Sequence, residues 1–315
     1  MCLVTGLAAV LCCFYSVLAR NPEPRIIGGW DADITKSPYY VRIDVGHNNS
    51  RTGGKLYNSC GSIIIDHQWI LTAGHCIPEP ELNLPIWLIM GIDDLKDIEN
   101  MPSRGDLLPR VDLSICHPKY KDTIIGPAYH ATTKVFNDIC LLRTDHVLEF
   151  GKYVNRAVLP WEAYDQKIEG REMLFPGFGK IGIYPTIFSD KLKATKLKVL
   201  RPDECAHFYN NQMYPGLFSA ELDICTISPD EVVRAGCGGD SGGGLVYEDA
   251  ITLCPIVVGI VSAGSTQFCN ESNIFTKISA YRTWIEETIQ RFTLSTAEMT
   301  SNRDRVNYPA RNRIE

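Results

Sequence analysis

Residues 235–245 read AGCGGDSGGGL. Ser241 stands there in a Gly-Asp-Ser-Gly-Gly run, where glycines allow a tight turn and a close approach to backbone. Gly239, Ser241 and Gly243 also satisfy the G-x-S-x-G pattern of a strand-to-helix nucleophile turn. A neutral hydroxyl is a weak nucleophile and needs a base, most often histidine. All seven histidines precede Ser241, the last being His207. The α/β-hydrolase order puts the histidine after the serine, so chain order alone excludes that fold.

Working outward, WILTAGHC (69–76) supplies His75, next to Cys76, with Cys60 upstream. NDICLL (137–142) supplies Asp138 within an apolar, strand-like run. A carboxylate among such neighbours stays charged only with a partner, and an imidazole N–H suits it. The order is His75, Asp138, Ser241.

The chain has 315 residues, 45% hydrophobic and 22% charged, with a net charge of −6. Those are ordinary globular values. The charge gives no electrostatic reason to expect nucleic acid or an anionic membrane as partner. Residues 1–19 end in Val17-Leu18-Ala19 and read as a secretory signal peptide, although no Lys or Arg precedes the apolar run. A buried N-terminal helix or a retained anchor is the alternative. The expectation is a secreted, extracellular protein. Of twelve cysteines, Cys2, Cys12 and Cys13 fall in that leader. An odd number remains, so at least one is free or pairs outside the chain. No CxxC or His-rich spacing suggests zinc. Asn48 and Asn270 begin glycosylation sequons.

Segments 60–72, 135–143, 171–177, 192–200 and 255–263 are apolar or alternating, punctuated by Gly, Pro and Asn. They predict short strands and an all-β fold. One helical pattern, ISAYRTWIEETI, sets Ile278, Tyr281, Trp284, Ile285 and Thr288 at helix spacing. Residues 291–315 read as a disordered polar tail.

RIIGGWDA, TAGHC, DICLL, PGFGK, GDSGG, GIVSAG and YRTWI occur in that order. Together they resemble the chymotrypsin-type (trypsin-like) serine proteases over residues 26–290. The resemblance implies two six-stranded antiparallel β-barrels with a C-terminal helix and a site in the crevice between them. It implies that Ser241 attacks the scissile carbonyl, His75 transfers the proton and Asp138 orients His75. The N–H groups of Gly239 and Ser241 would form the oxyanion hole. Residues 20–25 would be a propeptide, cleaved after Arg25 so that the Ile26 ammonium pairs with Asp240. The alternative is a catalytically weak or inactive homologue that only binds.

In this family the residue six before the nucleophile floors the primary pocket. Here it is Ala235, followed by Gly236, so no acid awaits Arg or Lys. Ser262, Ala263 and Gly264 form one wall, with Ala263 in place of the usual tryptophan. Asn273 occupies a usual glycine position and should intrude. Small or medium uncharged P1 residues are therefore expected. The resemblance pairs Cys60–Cys76, Cys205–Cys225 and Cys237–Cys269. Met173 and Tyr247 stand where a fourth bridge would be. Cys116 and Cys140 should lie on neighbouring strands, as a bridge or as two buried thiols, which leaves Cys254 buried and free. Residues 124–133 should extend a loop over the cleft. The calcium-loop acids are not evident near Asp93 and Asp94, which read as solvated, so no metal and no cofactor are expected. The implied partners are protein or peptide substrates, an upstream trypsin-like activating protease and a serpin-type inhibitor; the chain should be a monomer. Gly244, where the family usually has proline, has no evident reason in the sequence.

Overall fold

The computed structural model describes residues 28–46, 58–98, 109–125, 132–163, 167–182, 187–211, 216–264 and 273–293. The leader, Arg25, Ile26, both sequons, Cys269 and most of the tail lie outside them.

The first half of the chain begins with a short strand, β1 (Trp30–Asp31). Next come β2 (Tyr40–Val45), β3 (Asn58–Ile64), β4 (Trp69–Thr72), β5 (Ile86–Met90) and β6 (Val111–Cys116). A hairpin, β7 (Lys121–Ile125) and β8 (Thr132–Phe136), precedes β9 (Cys140–Thr144). The second half holds β10 (Glu172–Gly177), β11 (Lys180–Gly182), β12 (Ile187–Phe188) and β13 (Lys193–Val199). A short helix, α1 (Pro202–Ala206), leads to β14 (Asp223–Ile227), β15 (Gly244–Glu248), β16 (Pro255–Gly264) and β17 (Asn273–Lys277). Helix α2 (Arg282–Phe292) ends the described chain.

These strands form two antiparallel bodies. The first is a six-stranded sheet in the order β5-β2-β3-β4-β9-β6. Its edges meet at a single bridge, Trp87 to Arg110, where the Arg110 guanidinium lies 4.8 Å from the Trp87 ring. The second runs β13-β10-β15-β16-β17-β14, and β14 pairs back with β13, closing a ring of six; β1 adds to its outside. Closure leaves few unpaired strand edges. All six residues of β2 are buried. Its two charges are mutually satisfied, with Arg42 Nε donating to Asp44 Oδ1 at 2.8 Å.

The apolar segments break where local chemistry demands. The run 60–72 splits at the turn Asp66–Gln68, which Trp69 N closes on Asp66 O. The run 135–143 splits at Asn137, whose φ of 50° reverses the chain. Asparagine tolerates this left-handed region better than most residues. Asp138 therefore sits at a corner between β8 and β9, not within a strand. The C-terminal boundary also moves: α2 continues through Phe292, beyond the expected end at 290. Arg143 Nη1 donates to Phe292 O, and Trp69 Nε1 donates to Thr293 Oγ1 at 3.1 Å. Asp93 and Asp94 are half-buried rather than solvated, because their backbones join the two bodies through Leu192 N to Asp93 O and the Asp94–Lys191 bridge.

Three bridges lie wholly within the described residues: Cys60–Cys76, Cys116–Cys140 and Cys205–Cys225. The second resolves the open alternative, since β6 and β9 set Cys116 directly opposite Cys140. Cys237 is also disulfide-bonded. Cys254 is free but only half-buried, at the end of an exposed turn. Met173 and Tyr247 are buried in the second core instead of forming a bridge.

Gly244 acquires a reason. A Cβ there would meet Ile63 Cδ1 and Cγ1 at 2.5 Å, so the glycine admits an isoleucine of β3 into the seam between the bodies. Gly244→Ala should lower stability by about 1–3 kcal/mol through overpacking. Adding Ile63→Val should recover part of that loss in thermal denaturation; no recovery would mean that the seam is not the cause.

Candidate active site

The seam between the two bodies carries the residues singled out above. His75 lies in a 3-10 turn, Gly74–Cys76, directly after β4. The Cys60–Cys76 bridge ties that turn to β3. Tyr120 lies so close over Gly74 that a Cβ would meet its ring at 2.6 Å, so glycine is required there.

Asp138 is 1% exposed and acts as a hub. Its Oδ2 lies 2.8 Å from His75 Nδ1, and its Oδ1 accepts the His75 backbone N–H at 3.0 Å. One carboxylate thus fixes both the ring and the backbone of the histidine. Ser262 Oγ, from β16, donates to the same Oδ2 at 2.5 Å. Thr276 Oγ1, from β17, donates to the Asp138 carbonyl at 2.9 Å. The last two contacts come from the second body, so Asp138 is held from both sides. Burial works to lower the His75 pKa, but the Asp138 hydrogen bond and charge outweigh it and raise it above the ordinary value of 6.5.

Ser241 is delivered to this corner by glycines. Gly61 N donates to Ser241 O at 2.7 Å. A Cβ on Gly61 would meet Gly243 backbone at 2.9 Å, and one on Gly242 would crowd Gly61 O, Thr72 Oγ1 and Ala73 N. The nucleophile loop therefore lies on β3 and on the residues leading into His75. Among the described residues Ser241 Oγ makes no hydrogen bond, and the Asp138 contact takes up Nδ1 of His75 rather than Nε2. Bonds of this kind often tighten only when substrate is present.

Gly239 has φ of 95°, in the left-handed region that favours glycine. The following residue, Asp240, is wholly buried. Its oxygens accept the N–H groups of Gly179 at 2.8 Å and Cys237 at 2.9 Å. Burial nevertheless pushes its pKa up to about 7, although those N–H groups and Arg42 act the other way. Gly177 and Gly179 pack directly on the carboxyl, so neither position has room for a side chain.

The pocket residues also converge. Ala235 is 1% exposed and uncharged. Asn273 pairs with Gly264 across β16 and β17 and turns its amide onto Gly236. Its Oδ1 accepts from Gly236 N at 2.8 Å, and its Nδ2 donates to Gly236 O at 3.3 Å. Sequence reasoning placed Asn273 here, but missed the Ser262 hydroxyl, Thr276 and Gly179 as supports. Gly179 at least lay within the quoted PGFGK. The cluster of metal-ligating type, Cys60, His75 and Cys76, does not fit an ion, because both sulfurs are spent in a disulfide.

Several known proteins are similar to this chain. Venom serine protease 34 of Apis mellifera is 28% identical over 269 residues, 84% of this chain but 58% of that protein. The chain thus spans little more than half of that relative's length. Kallikrein-1E2 of Equus caballus is 27% identical over 85% of this chain and 91% of its own. Chymotrypsin-like elastase family member 3B of Homo sapiens is 27% identical over 87% of this chain and 93% of its own. The Trypsin family model matches residues 26–285. The chain belongs to the trypsin family, the chymotrypsin-type serine endopeptidases.

Proposed function

We propose that the protein is a secreted serine endopeptidase made as a zymogen, with His75, Asp138 and Ser241 as its triad and small or medium uncharged residues preferred at P1. The observation that carries the triad is the double grip of Asp138 on His75. With Nδ1 taken up by Asp138, the other ring nitrogen is the one available as a base for Ser241. Ser241 Oγ attacks the scissile carbonyl while His75 takes its proton, then returns it to the leaving amine. The Gly239 and Ser241 N–H groups receive the oxyanion, and one such donor is worth about 2.7–4 kcal/mol.

Three further features support the finer reading. Asp240 is a buried carboxylate that only a cation would fully compensate. Gly28, two residues beyond Ile26, packs so tightly on Val233 and Arg234 that a side chain would clash. The chain after the expected cleavage thus lies beside the segment leading to Ala235. The Asn273 amide spans Gly236, removing depth from the pocket, and Ala235 offers no charge to Arg or Lys. A pocket without an acid would cleave poorly after Arg25, so an upstream trypsin-like protease is the expected activator, and a serpin-type inhibitor the expected regulator.

A fluorophosphonate should label processed protein at Ser241, and kcat/KM should rise with pH through a His75 pKa above 6.5. Asp138→Asn should cut kcat by about 10⁴-fold, the loss typical of the wrong imidazole tautomer. Absence of labelling would favour the competing reading, a non-catalytic homologue.

Asp240 gives a second test. Its folded pKa of about 7 lies above the ordinary 3.8, so its contribution to stability is present below 3.8 and lost as pH rises through 7. The charged form then costs on the order of 4 kcal/mol, which a neighbouring ammonium offsets. Cleavage after Arg25 should therefore raise Tm more at pH 8 than at pH 5, measured against uncleavable Arg25→Gln; an equal gain at both would refute the pairing.

Asn273→Gly should raise kcat/KM for Phe P1 relative to Ala P1 by about tenfold or more, the scale of a pocket deepened by a few methylenes. A P1-scanning peptide library reads this directly, and an unchanged profile would show that Asn273 does not set the depth.

A further inference from the structure

One buried ion pair plays no part in the chemistry described so far. Lys134 on β8 and Asp223 on β14 meet at 2.7 Å, with side chains 5% and 9% exposed. Among the described residues it is the one ion pair that ties the β7–β8 ribbon to the second body. Asp223 also accepts the Ser219 N–H at 2.8 Å. Burial drives the Asp223 pKa upward, the nearby Asp138 charge adds to this, and the Lys134 charge and hydrogen bond oppose it without cancelling it.

Such a pair is a poor device for stability. Desolvation costs several kcal/mol per ion, and a well-packed apolar pair commonly does as well. What the pair does provide is position. β7 and β8 form a separate two-stranded ribbon outside both main sheets. Lys134 fastens that ribbon to the second body, and its Nζ lies 5.5 Å from the Phe136 ring, with Lys121 Nζ of β7 at 5.3 Å. β8 also packs against β16. Ser262, near the end of β16, bonds Asp138, two residues past β8. Asp138 itself is already held by His75, Ser262 and Thr276, so it does not need Lys134. Among the described residues no other side-chain hydrogen bond ties the ribbon to the second body.

We infer that the Lys134–Asp223 pair is a latch that fixes the β7–β8 ribbon as a wall along the acyl side of the cleft, so that it governs binding of substrates with several residues before the scissile bond. Lys134 and Asp223 are positioning residues, acting through the ribbon. This rests on the protease reading, with β16 as the strand that receives the substrate backbone.

The test compares wild type with Lys134→Met/Asp223→Leu, which exchanges the ions for an apolar pair. Each processed protein is assayed for Tm, fluorophosphonate labelling, hydrolysis of a single-residue ester and hydrolysis of a tetrapeptide amide with the same P1. The latch predicts wild-type labelling and ester kinetics, a similar Tm, and a tetrapeptide KM raised tenfold or more with little change in kcat. A tetrapeptide KM unchanged in the folded double variant overturns the latch, as does a parallel loss on both substrates, which marks a merely structural role. Failure of labelling in wild type would instead sink the protease reading. Should the apolar pair not fold, Lys134→Asp is compared with the swapped pair Lys134→Asp/Asp223→Lys: a tetrapeptide KM raised in the single variant and restored by the swap supports the latch, and a KM unchanged in the single variant, or a loss on both substrates, overturns it.

Discussion

A single buried carboxylate organises this molecule. Asp138 is almost sealed from water, and among the described residues its carboxylate accepts from the His75 ring, the His75 backbone and the Ser262 hydroxyl. Two donors come from the His75 turn of the first body, and a third, the Ser262 hydroxyl, comes from the second. Removing the charge would undo more than the histidine's tautomer, because the same oxygens help to register one body against the other. The seam and the catalytic geometry are thus one constraint.

The nucleophile loop obeys a related economy. It presses on β3 and on the approach to His75 with almost no side-chain volume between. Glycines at 61, 242, 243 and 244 each face atoms that a methyl group would strike. Close packing of backbone on backbone leaves little slack, which suits a site whose geometry must hold within fractions of an ångström.

Much of this was legible in the chain. With every histidine upstream of Ser241, order alone removed one fold and left the arrangement that the seven motifs then specified. The closing helix followed from the apolar spacing of Ile278 to Thr288, although Ile278–Tyr281 forms a 3-10 turn and α2 begins only at Arg282; Asn273 was assigned by counting back from Phe275. What stayed hidden depends on contacts between distant segments. Nothing near Gly244 announces Ile63, and nothing near Asp138 announces Thr276. The break at Asn137 fell within a segment read as one strand-like run, because Asn137-Asp138 fits an alternating strand as well as a corner and only the positive φ of Asn137 reverses the chain. Cys116 and Cys140 stayed ambiguous because neighbouring strands fix proximity but not register, and only register sets two sulfurs face to face.

The Asn273–Gly236 pairing carries an evolutionary consequence. On the proposed reading, selectivity would be shared between a floor residue and an amide on another strand that bonds both backbone atoms of the residue beside that floor. An acid arriving at 235 would then meet a pocket still shortened by that amide. A glycine arriving at 273 would open a pocket with no charge at its base. Each change alone would give little toward cleavage after arginine, and only the pair would confer it. The proposed preference would thus be protected by epistasis, with no single substitution at these two positions giving a chain that activates its own precursor.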